Sequence, residues 1–230
     1  MHVKIEIRKI LGGIKRSLTR SSSPNHKHAL NNIDDKLEKY LDFRNGFFVE
    51  AGAYDGVDQS NTYYLEKEKG WNGILIEPIF ENFCKIPENR DCFSFNCALV
   101  SKNFEDAKID INYAGLMSIA EGSMTDEKRL NHISSGLKCH GYNHSYKVSV
   151  NAFTLSDVLK KFNSPQIDFF SLDVEGYENE VLMGIDFRIH RPRYILVEER
   201  NHTITKDILE SEGYFLIDQF SESDYLYKTT

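Results

Sequence analysis

The chain has 230 residues, enough for one domain with a full hydrophobic core and an additional arm. Its 35 acidic residues outnumber its 28 lysines and arginines, and the formal net charge of -7 at pH 7 argues against a nucleic-acid-binding protein. No apolar run approaches the roughly 20 residues of a membrane span, charges interrupt the N-terminal apolar positions, and the cysteines lack Cys-x-x-Cys zinc spacing. We therefore expect a cytoplasmic protein with free thiols and no nucleic-acid partner.

Residues 1–30 are predicted to form a basic N-terminal arm and linker, ahead of a domain at residues 31–230. Apolar residues recur there at helical spacing between lysines and arginines: Ile7, Ile10, Leu11, Ile14 and Leu18. The pattern fits a basic amphipathic helix at the inner face of a membrane, and equally a packing arm or a homo-oligomer contact. Arg20–His28, which contains three serines and Pro24, is typical of a linker.

A strand, a glycine turn and a helix follow a first helix at Asn32–Leu41. Phe47–Val49 is typical of a strand buried on both faces, and Ser60 and Asn61 are suitable N-caps for a helix at Thr62–Lys69. In open α/β sheets, such a turn lies where ligands bind.

The turn itself has the pattern Glu-x-Gly-x-x-x-Gly, built from Glu50, Gly52 and Gly56, and Asp55 adds a second acid. It lacks the Gly-x-Gly-x-x-Gly of dinucleotide sites, and its acids would repel a pyrophosphate. They suit a cationic, hydroxyl-rich ligand such as S-adenosylmethionine. A tight turn with solvated acids is the alternative.

The next two predicted strands end near the same edge of the sheet. Gly73–Glu77 ends in an acid about 20–25 residues after the glycine turn, which fits a carboxylate that binds ribose hydroxyls; a solvated acid before Pro78 is the alternative. After a short helix at Ile79–Ile86, Cys92–Val100 is predicted to be one strand, with Asn96–Leu99 beside the adenine.

Residues 101–150 are predicted to be the least regular part of the chain and to form a lid or substrate insertion. Lys108–Tyr113 and Lys147–Val150 are typical of strands. The segment between them contains His132, His140 and His144, which could be bases or substrate contacts, or simply exposed loop histidines.

Acids accumulate again in the last part of the chain. Thr154–Phe162 is predicted to be a capped helix, and the strand Ile167–Val174 brings Asp173, Glu175 and Glu178 near the glycine turn. Like charges this close raise a pKa or require a cation. The remaining predicted elements are a strand that ends in Glu198 and Glu199, a helix and a closing hairpin, at Arg193–Val197, Thr203–Ser211, Gly213–Asp218 and Asp224–Lys228.

Together these segments resemble the FkbM family of S-adenosylmethionine-dependent methyltransferases over about residues 46–228. The resemblance rests on four segments in the right order: Phe48–Gly56, Trp71–Pro78, Asp168–Glu178 with Val181–Gly184, and Arg191–Glu199. Glu50 departs conservatively from the family's usual aspartate. The resemblance implies an α/β fold with a Rossmann-like, seven-stranded class I methyltransferase sheet, mainly parallel, with an antiparallel last strand and helices on both faces. It also implies O-methyl transfer to a hydroxyl of a sugar, nucleotide-sugar or glycan acceptor.

These considerations assign three sets of residues. The cofactor-binding set is Glu50, Gly52, Tyr54, Asp55, Gly56, Ser60, Glu77, Pro78, Asn96, Ala98 and Asp173. The catalytic set is Asp173, Glu175 and His202, with His202 as a candidate base. Asp173, Glu198 and Glu199 resemble the magnesium-binding carboxylates of catechol O-methyltransferases, so Mg²⁺ is a second expected cofactor. A nucleotide-dependent oxidoreductase and a non-catalytic, cofactor-binding scaffold in a glycan-assembly complex are the alternatives.

Overall fold

A mixed eight-stranded sheet forms the centre of the structure, a computed structural model that describes residues 7–8, 26–123, 126–140, 144–199 and 202–229. Its strands are β1 (Ile7–Arg8), β2 (Phe47–Ala51), β3 (Asn72–Ile76), β4 (Phe93–Phe95), β9 (Phe169–Leu172), β10 (Tyr194–Glu198), β11 (Tyr214–Gln219) and β12 (Asp224–Thr229). They lie in the order β1-β4-β3-β2-β9-β10-β12-β11. The five strands from β4 to β10 are mutually parallel, and β12 is antiparallel to β10 and β11. The prediction of a closing hairpin with an antiparallel last strand is confirmed.

Helices cover both faces of this sheet. They are α1 (Ile33–Leu37), α2 (Tyr63–Lys69), α3 (Phe80–Phe83), α4 (Ile86–Asn89), α6 (Leu155–Phe162), α7 (Glu178–Met183) and α8 (His202–Ser211). Phe47, Val49 and Ala51 of β2 pack in one core cluster with α6, α7 and α8, whereas Phe48 packs in another with α1 to α4. Because alternate residues of a strand point to opposite faces, the apolar run of β2 supplies both cores, as predicted.

A smaller four-stranded sheet occupies much of the segment that was predicted to be irregular. It contains β5 (Ala98–Leu99), β6 (Lys108–Tyr113), β7 (Ile119–Ala120) and β8 (Tyr146–Phe153), and a helix, α5 (Asp126–His140), lies between β7 and β8. β8 is parallel to β5 and antiparallel to β6, which in turn pairs with β7. The two strands predicted in this segment are confirmed, since Lys108–Tyr113 is β6 and Lys147–Val150 lies within β8. The segment is more regular than expected, because β6 and β8 pair in a second sheet and α5 precedes β8.

The predicted third strand is also corrected. Cys92–Val100 divides into β4, in the large sheet, and β5, in the small one. Asn96 lies at the division and donates two hydrogen bonds of 2.9 Å to the carbonyl oxygens of Glu77 and Pro78. These bonds satisfy two carbonyl groups that follow β3, at the point where the chain passes from β4 to β5.

The helical boundaries differ from the predictions at three places. The helix expected at Asn32–Leu41 is the shorter α1, and that expected at Ile79–Ile86 is replaced by α3 and α4. Ile7 and Arg8 are extended and pair with β4, not helical; Ile10, Leu11, Ile14 and Leu18 lie outside the described residues. Thr154 caps α6 as predicted, since its hydroxyl accepts a 3.1 Å hydrogen bond from the Asp157 amide. Among the described helices, none combines the length and the apolar composition that a bilayer span requires.

Candidate active site

A cleft of about 990 Å³, counting space open to solvent, lies at the carboxyl ends of β2, β3 and β9. These strands are adjacent and parallel, so the turns that follow them meet at one edge of the sheet. Among the residues that line the cleft are most of the predicted cofactor set and two predicted catalytic acids: Glu50, Gly52, Tyr54, Ser60, Glu77, Pro78, Ala98, Asp173 and Glu175.

Glu50, at the end of β2, organises the loop that leads to α2. It is 4% exposed, and its carboxylate accepts hydrogen bonds of 2.9 Å from the Ser60 hydroxyl and the Asn61 amide, and another from the Thr62 hydroxyl. A buried carboxylate requires such partners. Glu50, which lines the cleft, thus holds the cleft wall in place.

Gly52 lets the turn after β2 approach the loop after β9. Its φ is +87°, and a Cβ built at this position would lie 1.8 Å from the carbonyl oxygen of Asp173. On the same turn, the amides of Gly52 and Ala53 both donate to the Ile76 carbonyl oxygen, at 3.1 and 3.2 Å. The glycine is therefore required both by its backbone conformation and by the close contact between the two strand ends.

Arg90 is a buried cation behind the glycine turn that sequence reasoning missed. Its guanidinium donates to Glu66 at 2.8 Å, to the Gly56 carbonyl oxygen at 2.8 Å and to the Thr62 hydroxyl at 2.9 Å. Glu50 lies 3.8 Å away. No local pattern identifies this residue, because its partners lie 24 to 34 positions earlier in the chain.

Glu77 lies at the end of β3, on the cleft wall opposite Asp173. One carboxyl oxygen accepts a 2.8 Å hydrogen bond from the Ile79 amide and the other a 2.9 Å bond from the Tyr54 amide. Burial nevertheless raises the pKa of Glu77 to about 7, since desolvation outweighs these hydrogen bonds. Nearby, the buried Asn82 also lines the cleft, and its Oδ1 has no hydrogen-bond partner among the described residues.

The carboxylates after β9 and β10 crowd Asp173. Burial raises the pKa of Asp173 well above its usual range, and the negative charges of Glu198, Glu175 and Glu178 raise it further. Asp173 also shares a hydrogen bond with Glu198. Glu178 closes the loop, because its Oε1 accepts bonds from the Val174 amide at 3.2 Å and the Gly176 amide at 2.9 Å. An acidic wall of this kind favours a cationic group in the cleft.

Three members of the predicted cofactor set lie outside the cleft lining. Asp55 accepts two 2.9 Å hydrogen bonds from the Val57 and Asp58 amides, and Gly56 packs against Arg90. Asn96 ties the ends of β3 and β4 together, as described above. The structure places these three residues where they hold the turns that line the cleft.

The predicted metal set is brought together only in part, since Asp173 and Glu198 are in contact and Glu199 is bound elsewhere. Glu199 accepts a hydrogen bond from the Thr205 hydroxyl, and burial raises its pKa to about 7, whereas Glu198 lies beside Asp173. Across the described ranges, no three His, Cys, Asp or Glu side chains are arranged to hold a metal ion. The residues therefore do not fit Mg²⁺. His202, the predicted base, begins α8, and its side chain lies outside the described part of the structure.

The insertion supplies cleft residues that sequence reasoning did not single out. They are Ile111, Gly115, Leu116, Ser118 and Ala120, and Tyr177 joins them from the loop after β9. The Ser118 hydroxyl donates to the Gly115 carbonyl oxygen at 2.6 Å and accepts from the Ala114 amide at 3.0 Å, which fixes this loop. Tyr177 could have been found from its place beside the predicted acids, but the others depend on the small sheet.

Comparison with known proteins gives one family match. The model of the methyltransferase FkbM domain matches residues 50–226. No curated protein matches the chain.

Two solved structures show weak similarity. A methyltransferase FkbM from Methylobacillus flagellatus KT is 14% identical, with a TM-score of 0.48, over 83% of this chain and 45% of its own. A precorrin-6y C5,15-methyltransferase from Geobacter metallireducens GS-15 is 11% identical, with a TM-score of 0.38, over 90% of this chain and 92% of its own. The chain therefore spans less than half of the FkbM structure that it matches.

The family match does not depend on these structural similarities. It extends from the glycine turn after β2 to β12, so it includes each strand end that forms the cleft. Because it covers well over half of the sequence, the chain belongs to the FkbM methyltransferase family.

Proposed function

We propose that this protein transfers a methyl group from S-adenosylmethionine to a hydroxyl oxygen of a sugar, nucleotide-sugar or glycan acceptor. One observation carries the proposal: a single cleft joins the glycine turn at Gly52, the buried carboxyl group of Glu77 and the acidic wall at Asp173. We also infer that β4-β3-β2-β9-β10-β12-β11 is the seven-stranded class I methyltransferase sheet, to which β1 adds an edge strand.

The chemistry of the cleft residues fits this cofactor. Glu77 can accept hydrogen bonds from ribose hydroxyls, and the unpartnered Oδ1 of Asn82 offers a further acceptor on the same wall. A cation would relieve the repulsion around Asp173. The turn at Gly52 lies between Glu77 and Asp173, and the glycine places no side chain there.

The chain must align the acceptor and remove its proton, since methyl transfer is an in-line displacement. When bound, S-adenosylmethionine supplies the methyl group on a good leaving group. Asp173 and Glu175 line the cleft beside the predicted position of the sulfonium and can hold the acceptor hydroxyl.

The acceptor class is supported by the side of the cleft that the insertion forms. Ser118 and Tyr177 are polar groups on that side, and Ile111 and Leu116 supply apolar surface. A sugar ring presents hydroxyls at its edge and C–H groups on its faces, so it needs both kinds of contact. The net charge of -7 disfavours a nucleic-acid acceptor.

The test of the cofactor is calorimetric titration with S-adenosylhomocysteine, with NAD as the control ligand. We expect micromolar binding of S-adenosylhomocysteine and none of NAD, with no change on adding Mg²⁺. Glu77→Gln should weaken binding about tenfold, since one charge-assisted hydrogen bond contributes roughly 1.5 kcal/mol. The exposed Glu88→Gln is the matched control. Binding of NAD in place of S-adenosylhomocysteine would favour an oxidoreductase and overturn the proposal.

The test of the reaction is methylation of a panel of sugars, nucleotide sugars and glycans with isotopically labelled S-adenosylmethionine. Label on an acceptor oxygen is the expected result. Tight cofactor binding without turnover over the whole panel would favour the scaffold alternative.

A further inference from the structure

The buried histidine of α5 is unexpected for a helix at the surface. Of the residues described on α5, only His132 and Gly136 are buried, whereas Leu130 is 67% exposed. Packing alone would bury the leucine and expose the histidine. The helix instead points an imidazole inward, which needs a reason in the site that it faces.

His132 faces a predicted catalytic acid. Its Nε2 lies 3.3 Å from Oε2 of Glu175, and the two side chains are 4% and 23% exposed. Glu175 lines the cleft and His132 does not, so the 3.3 Å contact links the buried imidazole to the site through this carboxyl group. The arrangement is that of a histidine supporting a carboxylate.

The backbone of Glu175 is held in an unusual conformation that produces this arrangement. Its φ is +56°, in the left-handed region that costs a non-glycine residue about 1–2 kcal/mol. The two hydrogen bonds to Glu178 described above fix the loop on either side of it. Strain of this size persists where the surrounding structure imposes it, and it is concentrated at functional sites.

The position of His132 is set by close packing of α5 on the cleft loop. Gly136 lies one helical turn after His132, on the same face. A Cβ at Gly136 would lie 2.7 Å from the Ala114 carbonyl oxygen and 2.9 Å from the Met117 Cβ. α5 thus contacts the loop that supplies Gly115, Leu116 and Ser118 to the cleft.

From these contacts we propose that His132 is a positioning residue, which holds Glu175 so that the carboxylate receives the proton of the acceptor hydroxyl. The inference rests on the proposed function and deepens it. The acceptor oxygen forms a bond to the methyl carbon, the bond from that carbon to sulfur breaks with its electron pair on sulfur, and the hydroxyl proton moves to Glu175. A sulfonium and a carboxylate become a neutral thioether and a neutral carboxylic acid, so charge balances without another reactant.

The charged groups around the pair are mostly acidic. Asp173 lies close enough for its charge to interact with Glu175, and Glu178 and Glu198 surround Asp173. Lys128, one turn before His132 on α5, is exposed to solvent. The loop of residues 114–118 carries no titratable side chain. An imidazole N–H that donates to Glu175 would keep this carboxylate ionised and oriented among its acidic neighbours.

The first experiment is independent of the acceptor. The full chain with ¹⁵N-labelled histidine is titrated by NMR as the S-adenosylhomocysteine complex, and compared with Glu175→Gln. We expect Nε2 of neutral His132 to carry the proton, and the pKa of His132 to fall by about one unit in the variant, because a nearby carboxylate is lost. The exposed His144 is the internal control and should not change. An unchanged pKa of His132, or a proton on Nδ1, would overturn the proposal.

The second experiment uses an acceptor that the panel identifies. His132→Leu should lower kcat about 100-fold, with the affinity for S-adenosylhomocysteine kept within about threefold. His132→Gln retains an N–H donor, so its kcat should be at least about tenfold higher than that of His132→Leu. The Gln variant should also keep its activity at low pH, where protonation of the wild-type imidazole weakens Glu175 as a base. His144→Gln is the matched control.

The two proposals fail differently. If S-adenosylhomocysteine does not bind, the proposed function is wrong and this inference falls with it. If it binds, but His132→Leu and the wild-type protein have the same kcat, only the role of His132 is wrong. Should His132→Leu fail to fold, His132→Gln and the NMR titration still decide.

Discussion

The two sides of the cleft are built in different ways. The side formed by the turns after β2 and β3 carries local sequence signals: a buried strand, a glycine turn and an acid at a strand end. The side formed by the insertion depends on long-range packing, in which α5 and the small sheet hold residues 114–118 against the cleft. The first side was therefore visible in the sequence residue by residue. Of the second side, the sequence predicted an insertion and two of its strands, but not the residues that line the cleft.

This difference indicates how the protein separates two tasks. The glycine turn is locked from behind by the buried Arg90, which gives the rigid site that the proposed binding of S-adenosylmethionine would require. The insertion lines the cleft through β6, β7 and the loop between them, as the proposed function would require of the part that selects the acceptor. Variants on the first side should damage stability and cofactor binding together, and variants on the second should change acceptor use.

The largest effect is expected from Arg90→Ala. Removing the guanidinium leaves Glu50 without its cation and Glu66 with Lys67 alone, and breaking a buried pair in this way costs about 3–5 kcal/mol. Urea denaturation should show this loss in the free energy of unfolding. Arg188→Ala is the control, since Arg188 pairs with Asp186 at 2.9 Å but its side chain is 88% exposed, and its removal should cost less than about 1 kcal/mol. Equal losses in both variants would contradict the view that Arg90 locks the turn.

The second largest effect is expected from Gly52→Ala. The new Cβ overlaps the Asp173 carbonyl oxygen, and the alanine must adopt a positive φ. We therefore expect the free energy of unfolding to fall by about 2–5 kcal/mol, with no measurable S-adenosylhomocysteine binding. Gly122→Ala separates the two causes, because Gly122 has the same φ of +87° but nothing within 4 Å of the added atom. If the two alanine variants lose equal stability, the close contact with Asp173 does not matter.

The residues that prediction captured and missed follow the same division. Gly52, Glu77 and Asp173 were predicted because each lies at the end of an apolar run, where strand and turn signals coincide. Arg90 and His132 were not assigned, since their partners are distant in sequence and single residue types carry no spacing signal. The division of Cys92–Val100 into β4 and β5 was missed because its two halves are equally apolar and only the second pairs with β8.

Stability should fall as the pH rises through the range set by Glu77. Its pKa is about 7 in the folded protein and 4.5 as an unperturbed group, so between these values the folded state retains a proton that the unfolded state has lost. The free energy of unfolding should therefore decrease by on the order of 2–3 kcal/mol from pH 4.5 to pH 7. The buried Asp34, whose pKa is raised to about 6, and Glu199, at about 7, act in the same direction.

Urea denaturation at intervals from pH 5 to pH 8 measures this slope, and Glu77→Gln should flatten it, whereas Glu88→Gln should leave it unchanged. If the slope is the same in Glu77→Gln, the folded pKa of Glu77 is not raised, and the cofactor side of the cleft is more hydrated than its burial implies.

The smallest effect on stability, but the sharpest test of the comparison, is expected from Gly136→Ala. An alanine favours the helix by about 1 kcal/mol, but the added Cβ meets the Ala114 carbonyl oxygen and the Met117 Cβ, and overpacking of this kind costs about 1–3 kcal/mol. The free energy of unfolding should therefore fall by no more than about 2 kcal/mol. The shifted helix moves His132 and the 114–118 loop, so acceptor turnover should fall while the calorimetric affinity for S-adenosylhomocysteine stays the same.

The exposed Ser134→Ala, on the same helix, should affect neither measurement. A parallel loss of cofactor affinity in Gly136→Ala would show that the two sides of the cleft are one mechanical unit, because a displacement confined to the insertion would then have reached the glycine turn.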